Sequence, residues 1–263
     1  MRKLLFVVAV CLGGVTPASG SEVFDHRDFD AILRERVDDA GRVDYAGLKA
    51  NREGLDAYVG RLAKVSPKSH PGQFLSEQEK LAYWINAYNA LTLKGVIGAY
   101  PTKSVKDIKY LSGFFNRTWF MVGGESYTLN NIEHDVIRKE FKEPRIHAAI
   151  NCASIGCPRL ERQAFFAEGL EERLEAAMRT FLNESRNATV NASAKTVTLS
   201  KIFDWFESDF TEWYIAKYNV DDAHILDYVA LYLGENENRL DSSWKVKYHA
   251  YDWALNDQNS EPE

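Results

Sequence analysis

The chain has 263 residues and a formal net charge of -6, which removes the concentrated Lys and Arg that nucleic acid or an anionic membrane surface would need. Hydrophobic residues make up 45% of it, enough for one large core, and no Pro/Gly-rich linker divides its middle.

Met1-Arg2-Lys3, the short apolar run Leu4 to Leu12 and the small residues Ala18-Ser19-Gly20 read as a secretory signal over residues 1–20, with cleavage before Ser21 or Glu22. Cys11 leaves with that peptide. Lipid anchoring there is less favoured, because Val10 is bulkier than the small residue such a site wants. The expected location is secreted or periplasmic, a compartment that permits disulfides. No later segment is long and apolar enough for a membrane span.

Phe29, Ile32, Leu33 and Val37 recur at helical spacing, as do Leu48, Leu55, Val59 and Leu62, which predicts an N-terminal helical extension over residues 21–75. Ser66-Pro67 through Pro71-Gly72 breaks it as a loop. Ser76-Glu77-Gln78-Glu79 is a capping box opening a helix to about Gly98. Leu81, Trp84, Ile85, Tyr88, Leu91, Thr92 and Val96 wrap more than one stripe, so this helix is expected to be nearly surrounded by protein.

Thr118 to Leu129, with Gly123-Gly124 at its centre, is a hairpin signature. Asn130 then caps a helix containing Ile132, Val136 and Ile137, Arg145 to Asn151 reads as a strand, and Phe165 to Leu182 as an amphipathic helix. A hairpin to Leu199, a helix capped by Ser200, another around Ile225 to Leu233, and a strand near Trp244 to Tyr251 follow. The fold class is α+β, with helices packed around a small, mainly antiparallel sheet in a single core domain over residues 76–256, ahead of a polar tail at 257–263.

The chemistry gathers at the two remaining thiols. Cys152 and Cys157 flank a Ser/Gly/Pro turn beside a histidine, and three chemistries compete: a thiolate nucleophile, a short disulfide, or a metal site. His134 follows Glu133 in the first turn of its helix and could face Cys152, giving a nucleophile, base and orienting group. For Glu133 itself, capping from Asn130 is favoured over orienting the base. Strict strand alternation puts His147 on the face opposite Cys152, which makes it a core histidine first and a reserve base second. Asn86 and Asn89 share one side of their helix. Each either ties the backbone of neighbouring loops or lines a site, since a buried unpaired amide costs roughly 1 to 3 kcal/mol. Arg145 and Arg138 carry the planar fork that grips a carboxylate, and surface ion pairs explain them nearly as well. Asp204, Trp205 and Asp209 read as structural. A zinc set of Cys152, Cys157, His147 and His134 lacks a second thiol pair, so no metal or cofactor is expected.

The ordered motifs Tyr83-Trp84-Ile85-Asn86-Ala87-Tyr88-Asn89-Ala90-Leu91, Ile132-Glu133-His134, Arg145-Ile146-His147 through Asn151-Cys152 and Cys157-Pro158, Ser200-Lys201-Ile202-Phe203-Asp204-Trp205-Phe206, and Tyr251-Asp252-Trp253-Ala254-Leu255-Asn256 resemble the family called domain of unknown function 547. The resemblance covers roughly residues 70–256. It implies that Asn86, Asn89, Glu133, His134, His147 and Cys152 are motif positions and that the first thiol is the more typical, which favours a lone reactive cysteine. A cysteine, a histidine and an amide or carboxylate also resemble papain-like and transglutaminase-like thiol enzymes. Those place the cysteine before the histidine, so the fold implied is a rearranged one.

The expected activity is therefore a cysteine-dependent hydrolase or acyltransferase acting on a peptide or small amide or ester, peptide-like or glutathione-like. Cys152 attacks, His134 is the general acid-base, Asn89 or Glu133 orients it, and Asn86, Arg145 and His147 meet the substrate. The alternative is a non-catalytic peptide-binding or scaffold domain with a structural Cys/His/Asn cluster.

Overall fold

The computed structural model describes residues 23–109, 113–233 and 240–260. The expected signal segment and Cys11 lie outside them. No helix among the described residues is long and apolar enough to cross a membrane.

Three helices, α1 (Arg27–Arg36), α2 (Tyr45–Ala50) and α3 (Glu53–Leu62), precede α4 (Glu77–Ala99). At the start of α4, Ser76 Oγ accepts from the Glu79 N-H at 3.2 Å and Glu79 Oε2 accepts from the Ser76 N-H at 2.9 Å, the reciprocal cap the sequence predicts. Every residue of α4 from Leu81 to Leu93 is buried. Its many apolar stripes are all covered: α2, α3 and the segment that follows the hairpin pack around it.

After the short α5 (Gly113–Arg117), the strands β1 (Phe120–Val122) and β2 (Glu125–Tyr127) pair antiparallel around Gly123 and Gly124 at φ +60 and +86. The turn has a second task. Its two N-H groups donate to the Leu62 and Ala63 carbonyls at 2.8 Å, satisfying acceptors that the end of α3 would otherwise leave bare.

The next element is a π-helix, Asn131–Phe141. Its start is secured by Thr128 and Asn131, each of whose side chains accepts from the other's backbone N-H, while Asn130, the expected cap, makes no side-chain cap. The strand expected from Arg145 to Asn151 is instead a 3₁₀ helix, Pro144–Ala148. Pro144 suits a first helical position, Glu143 caps it by accepting from the Arg145 N-H at 3.0 Å, and its neighbours are helices rather than strand edges. A short apolar run does not distinguish these states by periodicity.

The helix α6 spans Leu170–Leu182 and begins later than the pattern suggests. Asn86 holds both backbone groups of Phe165, accepting from its N-H at 2.9 Å and donating to its carbonyl at 2.7 Å, which excludes Phe165 from a helical ladder. Strands β3 (Ala188–Asn191) and β4 (Thr196–Leu199) are antiparallel, and β5 (Lys245–Tyr248) joins β4 in parallel. Between them lie α7 (Lys201–Trp205), α8 (Glu207–Tyr218) and α9 (Ile225–Val229). The architecture is α+β, with the strands divided between a two-stranded and a mixed three-stranded sheet rather than gathered in one.

Two apolar cores result. The first joins the N-terminal helices to α4 and the π-helix, and the second joins α6 to α9 with β4. They meet at the 3₁₀ helix, whose Ile146 belongs to the first and Ala148 to the second. The C-terminal segment then runs back across the 152–157 loop: Ile155 and Gly156 donate to the Ala254 and Asp252 carbonyls at 2.8 Å, and Asn256 donates to Ala153 O at 3.2 Å. Asp257, expected in a polar tail, is buried and accepts from Tyr100 Oη at 2.7 Å.

The strap lies so close that a Cβ on Gly156 would fall 2.9 Å from the Asp252 carbonyl oxygen and 3.0 Å from Tyr251 Cδ2. The Asp252 backbone, with its nitrogen also 3.0 Å away, leaves little room to yield. Gly156→Ala is expected to destabilise the fold by about 1 to 3 kcal/mol, read from urea unfolding midpoints. An unchanged midpoint would show that the strap is not seated there.

Candidate functional site

The 152–157 loop is positioned from inside the first core. Asn89, on the buried face of α4, donates to Ala149 O at 3.0 Å and accepts from the Asn151 N-H at 2.8 Å. Asn151 in turn accepts from the Ala153 N-H at 2.8 Å and donates to Pro158 O at 2.7 Å, bridging the two ends of the loop. Ala153 sits at φ +65, a left-handed conformation costing an alanine roughly 1 to 2 kcal/mol and stabilised here by these bonds.

This loop forms one wall of a cavity of about 250 Å³. Cys152, Cys157, Glu133, His134, His147 and Tyr251 border it, and Tyr88, Trp205, Phe206 and Trp253 are among its aromatic lining. Asn86 and Asn89 do not border it. Both are spent on backbone: Asn86 on Phe165, Asn89 on the approach to Cys152. Arg145 does not border it either. It is buried against three carboxylates, bonding Glu143 at 2.7 and 2.6 Å and lying 2.7 Å from Glu171 and 3.6 Å from Glu175.

Cys152 and Cys157 are joined in a disulfide. Cys152 is partly exposed and Cys157 is buried. Around the sulfurs, Ser154 Oγ donates to Tyr251 Oη at 3.1 Å, leaving the phenolic proton for the sulfurs of Cys152 and Cys157, 3.2 and 3.1 Å away. Burial pushes the Tyr251 phenol above its ordinary range, so it keeps that proton. The Cys152 N-H donates to Cys157 Sγ at 3.0 Å.

The two histidines are held in opposite senses. His134 Nδ1 lies 2.5 Å from Arg138 Nη1. Arginine only donates, so Nδ1 is the accepting nitrogen and the neutral ring carries its proton on Nε2. Burial, then the guanidinium, lowers the pKa of His134. His147 Nε2 lies 2.8 Å from Asp209 Oδ2, so Nε2 is the donor and Nδ1 keeps a lone pair. Burial lowers the pKa of His147 as well, against the pull of Asp209. Its ring stacks on Phe206 with centroids 4.2 Å apart.

Asp209 also receives Arg138 through both oxygens, at 2.6 and 2.8 Å. Burial works to raise its carboxyl, but the bonds from Arg138 and His147 outweigh this and hold it well below the usual carboxylate range. Glu133 is the opposite case. It does not cap its helix; it accepts from Tyr88 Oη at 3.2 Å, and loss of water pushes its carboxyl up to about 7 despite Tyr88 and Arg138.

The parity that separated His147 from Cys152 in the sequence disappears with the strand, and the two border one cavity. Two residues of the candidate site lay outside the sequence's candidate set: Tyr251, which borders the cavity, and Asp209, which bonds His147 from behind it. Asp209 carries no local mark, since its partners lie 62 and 71 residues away, whereas Tyr251 opens one of the family-like motifs.

Residues 73–182 match the family described as "Protein of unknown function, DUF547". The matched stretch contains Glu133, both histidines and both cysteines but neither Asp209 nor Tyr251. No curated protein matches the chain, and no solved structure does.

The elevated Glu133 carboxyl has a testable consequence for stability. Between the unfolded value of 4.5 and about 7 the folded state binds more protons, so its contribution is fully present below 4.5 and is lost as pH rises through 7. The full displacement corresponds to roughly 3 kcal/mol, and water reaching the partly exposed side chain reduces it to about 1 to 2 kcal/mol. Glu133→Gln keeps an acceptor for Tyr88 and does not titrate. The stability of wild type minus that of Glu133→Gln is expected to fall by that amount from pH 4.5 to 7.5 in urea titrations. The lowered histidines act with the opposite sign and cancel in the difference; a flat difference would contradict the shifted carboxyl.

Proposed function

We propose that this chain is a cysteine-dependent hydrolase or acyltransferase acting on an amide or ester, with Cys152 as nucleophile in the reduced protein. One observation carries the reading: a single cavity is bordered by Cys152 and by His147, whose other nitrogen is held by the Asp209 carboxylate at 2.8 Å. Nucleophile, base and orienting group are the parts acyl transfer needs.

The roles within the pair of histidines are exchanged relative to the sequence expectation. His147 keeps its Nδ1 lone pair and takes the Cys152 proton, and Asp209 stabilises the imidazolium that forms. The thiolate attacks the carbonyl carbon and the carbonyl oxygen becomes an oxyanion. His134, whose Nε2 carries a proton because Arg138 occupies Nδ1, donates to that oxyanion. His147 then protonates the leaving amine or alcohol, and water or an acceptor nucleophile releases the acyl group from Cys152. Glu133, near half-protonation at neutral pH, gives the cavity a second proton donor. The aromatic wall of Trp205, Phe206 and Trp253 suits the apolar part of a peptide-like or glutathione-like substrate. The leader expected at residues 1–20 would place this chemistry in a secreted or periplasmic setting.

The disulfide favours a second reading. While Cys152 is bonded to Cys157 it attacks nothing, and the same cavity is then a binding site in a non-catalytic module.

A panel of activated esters and peptide amides, offered to the protein under reductant, separates the two. Cys152→Ala is expected to abolish turnover and His147→Ala to lower it by about 10² to 10⁴-fold, with alkylation of Cys152 by iodoacetamide slowed at pH 7 in His147→Ala. Turnover unchanged in both variants, or a reduced wild type that turns over none of the panel and resists alkylation while folded, would leave the binding module.

A further inference from the structure

The placement of the disulfide points to chemistry that goes beyond acyl transfer. A disulfide kept only as a staple belongs where it closes a long loop, because the chain entropy it removes grows with loop length. Cys152 and Cys157 are separated by 5 positions. The loop between them is already held without sulfur, by Asn89 on Asn151, by Asn151 on Pro158 O, and by the strap on Ile155 and Gly156. Opening the bond leaves that frame in place.

The two sulfurs also differ in a way that suits exchange. Cys152 is partly exposed on the cavity, whereas Cys157 is 3% exposed. Both sulfurs lie near the Tyr251 phenol, 3.2 Å from Cys152 and 3.1 Å from Cys157, and near Ser154 Oγ, at 3.0 and 3.4 Å, but the buried partner alone also receives a backbone donor, the Cys152 N-H at 3.0 Å. A thiolate formed at Cys157 would find that backbone N-H already aimed at it and the phenol within reach. Hydrogen bonds to the charged form lower a thiol's pKa, and a leaving group of lower pKa departs faster. His147, with a lone pair on Nδ1, borders the same space and can take the proton of an incoming thiol.

We propose that Cys152-Cys157 is an exchangeable couple, reduced in the folded protein by low-molecular-weight thiols that enter the cavity. A small thiolate attacks Cys152 Sγ; the S-S bond breaks, a mixed disulfide forms on Cys152, and the electron pair leaves on Cys157 as a thiolate. A second thiolate attacks the small-molecule sulfur of that mixed disulfide, releasing the small disulfide and the Cys152 thiolate. Two thiols are oxidised and the protein disulfide is reduced. In the reverse direction Cys157 is the resolving thiol, which expels the small thiol from Cys152. This exchange holds whether or not the reduced cysteine performs acyl transfer.

The test uses the full chain, oxidised and folded, exposed to millimolar 2-mercaptoethanol. Samples are quenched in acid, alkylated and mapped by peptide mass, with near-ultraviolet circular dichroism reporting the fold. The expected course is a transient adduct on Cys152 with Cys157 free, then both thiols free, at unchanged circular dichroism. Tyr251→Phe removes one donor from the leaving sulfur and is expected to slow the first step about tenfold. Cys157→Ser, treated with the oxidised form of the same reagent, is expected to hold a persistent adduct on Cys152, because nothing remains to resolve it. A bond that opens only in denaturant, a first adduct on Cys157, or no adduct in Cys157→Ser would each overturn the proposal. Exchange without turnover of any ester or amide would overturn only the acyl-transfer reading.

Discussion

The amide of Asn89 holds the site together. It projects from a helix that is buried from Leu81 to Leu93, where an unsatisfied polar group is expensive, and it discharges that obligation on the backbone entering the 152–157 loop. Asn151 relays the constraint across the loop, and the left-handed Ala153 is its geometric result. Asn86 performs the same service for Phe165 three residues earlier on the helix. Asn89 therefore acts on the cavity through the backbone it fixes, whereas Asn86 fixes a loop outside the cavity's border. Their spacing on one helix side converts the burial of α4 into the placement of two loops.

A second hub is the Asp209 carboxylate. It takes Arg138 from the π-helix and His147 from the 3₁₀ helix, while itself lying on α8. Three elements are locked by one carboxylate, and each histidine receives a defined tautomer as a by-product: His134 because the guanidinium faces Nδ1, His147 because the carboxylate faces Nε2. The wide turn of a π-helix is a recurrent feature of functional sites. Here it carries Glu133, His134 and Arg138 on consecutive turns.

Much of this was legible in the residues, and the failures are physical. The Ser76 box, the Gly123-Gly124 turn and the enclosed character of α4 are encoded within a few positions, so they could be read directly. The thiols, Glu133 and both histidines announced themselves by residue type. What the sequence hid was non-local. Arg145 looks like a substrate clamp until Glu171 and Glu175, one helix away, are seen to consume it. Asp209 is an ordinary first-turn acid until its partners 62 and 71 residues upstream are placed. The apolar run through Ile146 fits a strand or a buried turn equally well, and only the absence of an adjacent strand edge decides between them. That one misreading put His147 on the face opposite Cys152, whereas the two border one cavity.

The cavity lies beside the seam of the two cores, and this sets its charge state. Desolvation moves Glu133 up and both histidines down, each toward its neutral form, while Arg138 and Asp209 remain charged and neutralise each other. The charge of the oxidised cavity near neutral pH is thus set mainly by Glu133. Reduction changes this: a thiolate at Cys152 or Cys157 is an added negative charge beside these groups, stabilised by the Tyr251 proton and, at Cys157, by a backbone N-H. A new negative charge raises the pKa of every neighbour that can bind a proton. Opening the disulfide therefore draws Glu133 further toward its acid form and His147 toward imidazolium, so that the redox state of the sulfurs and the protonation of the groups that would serve them are one coupled equilibrium.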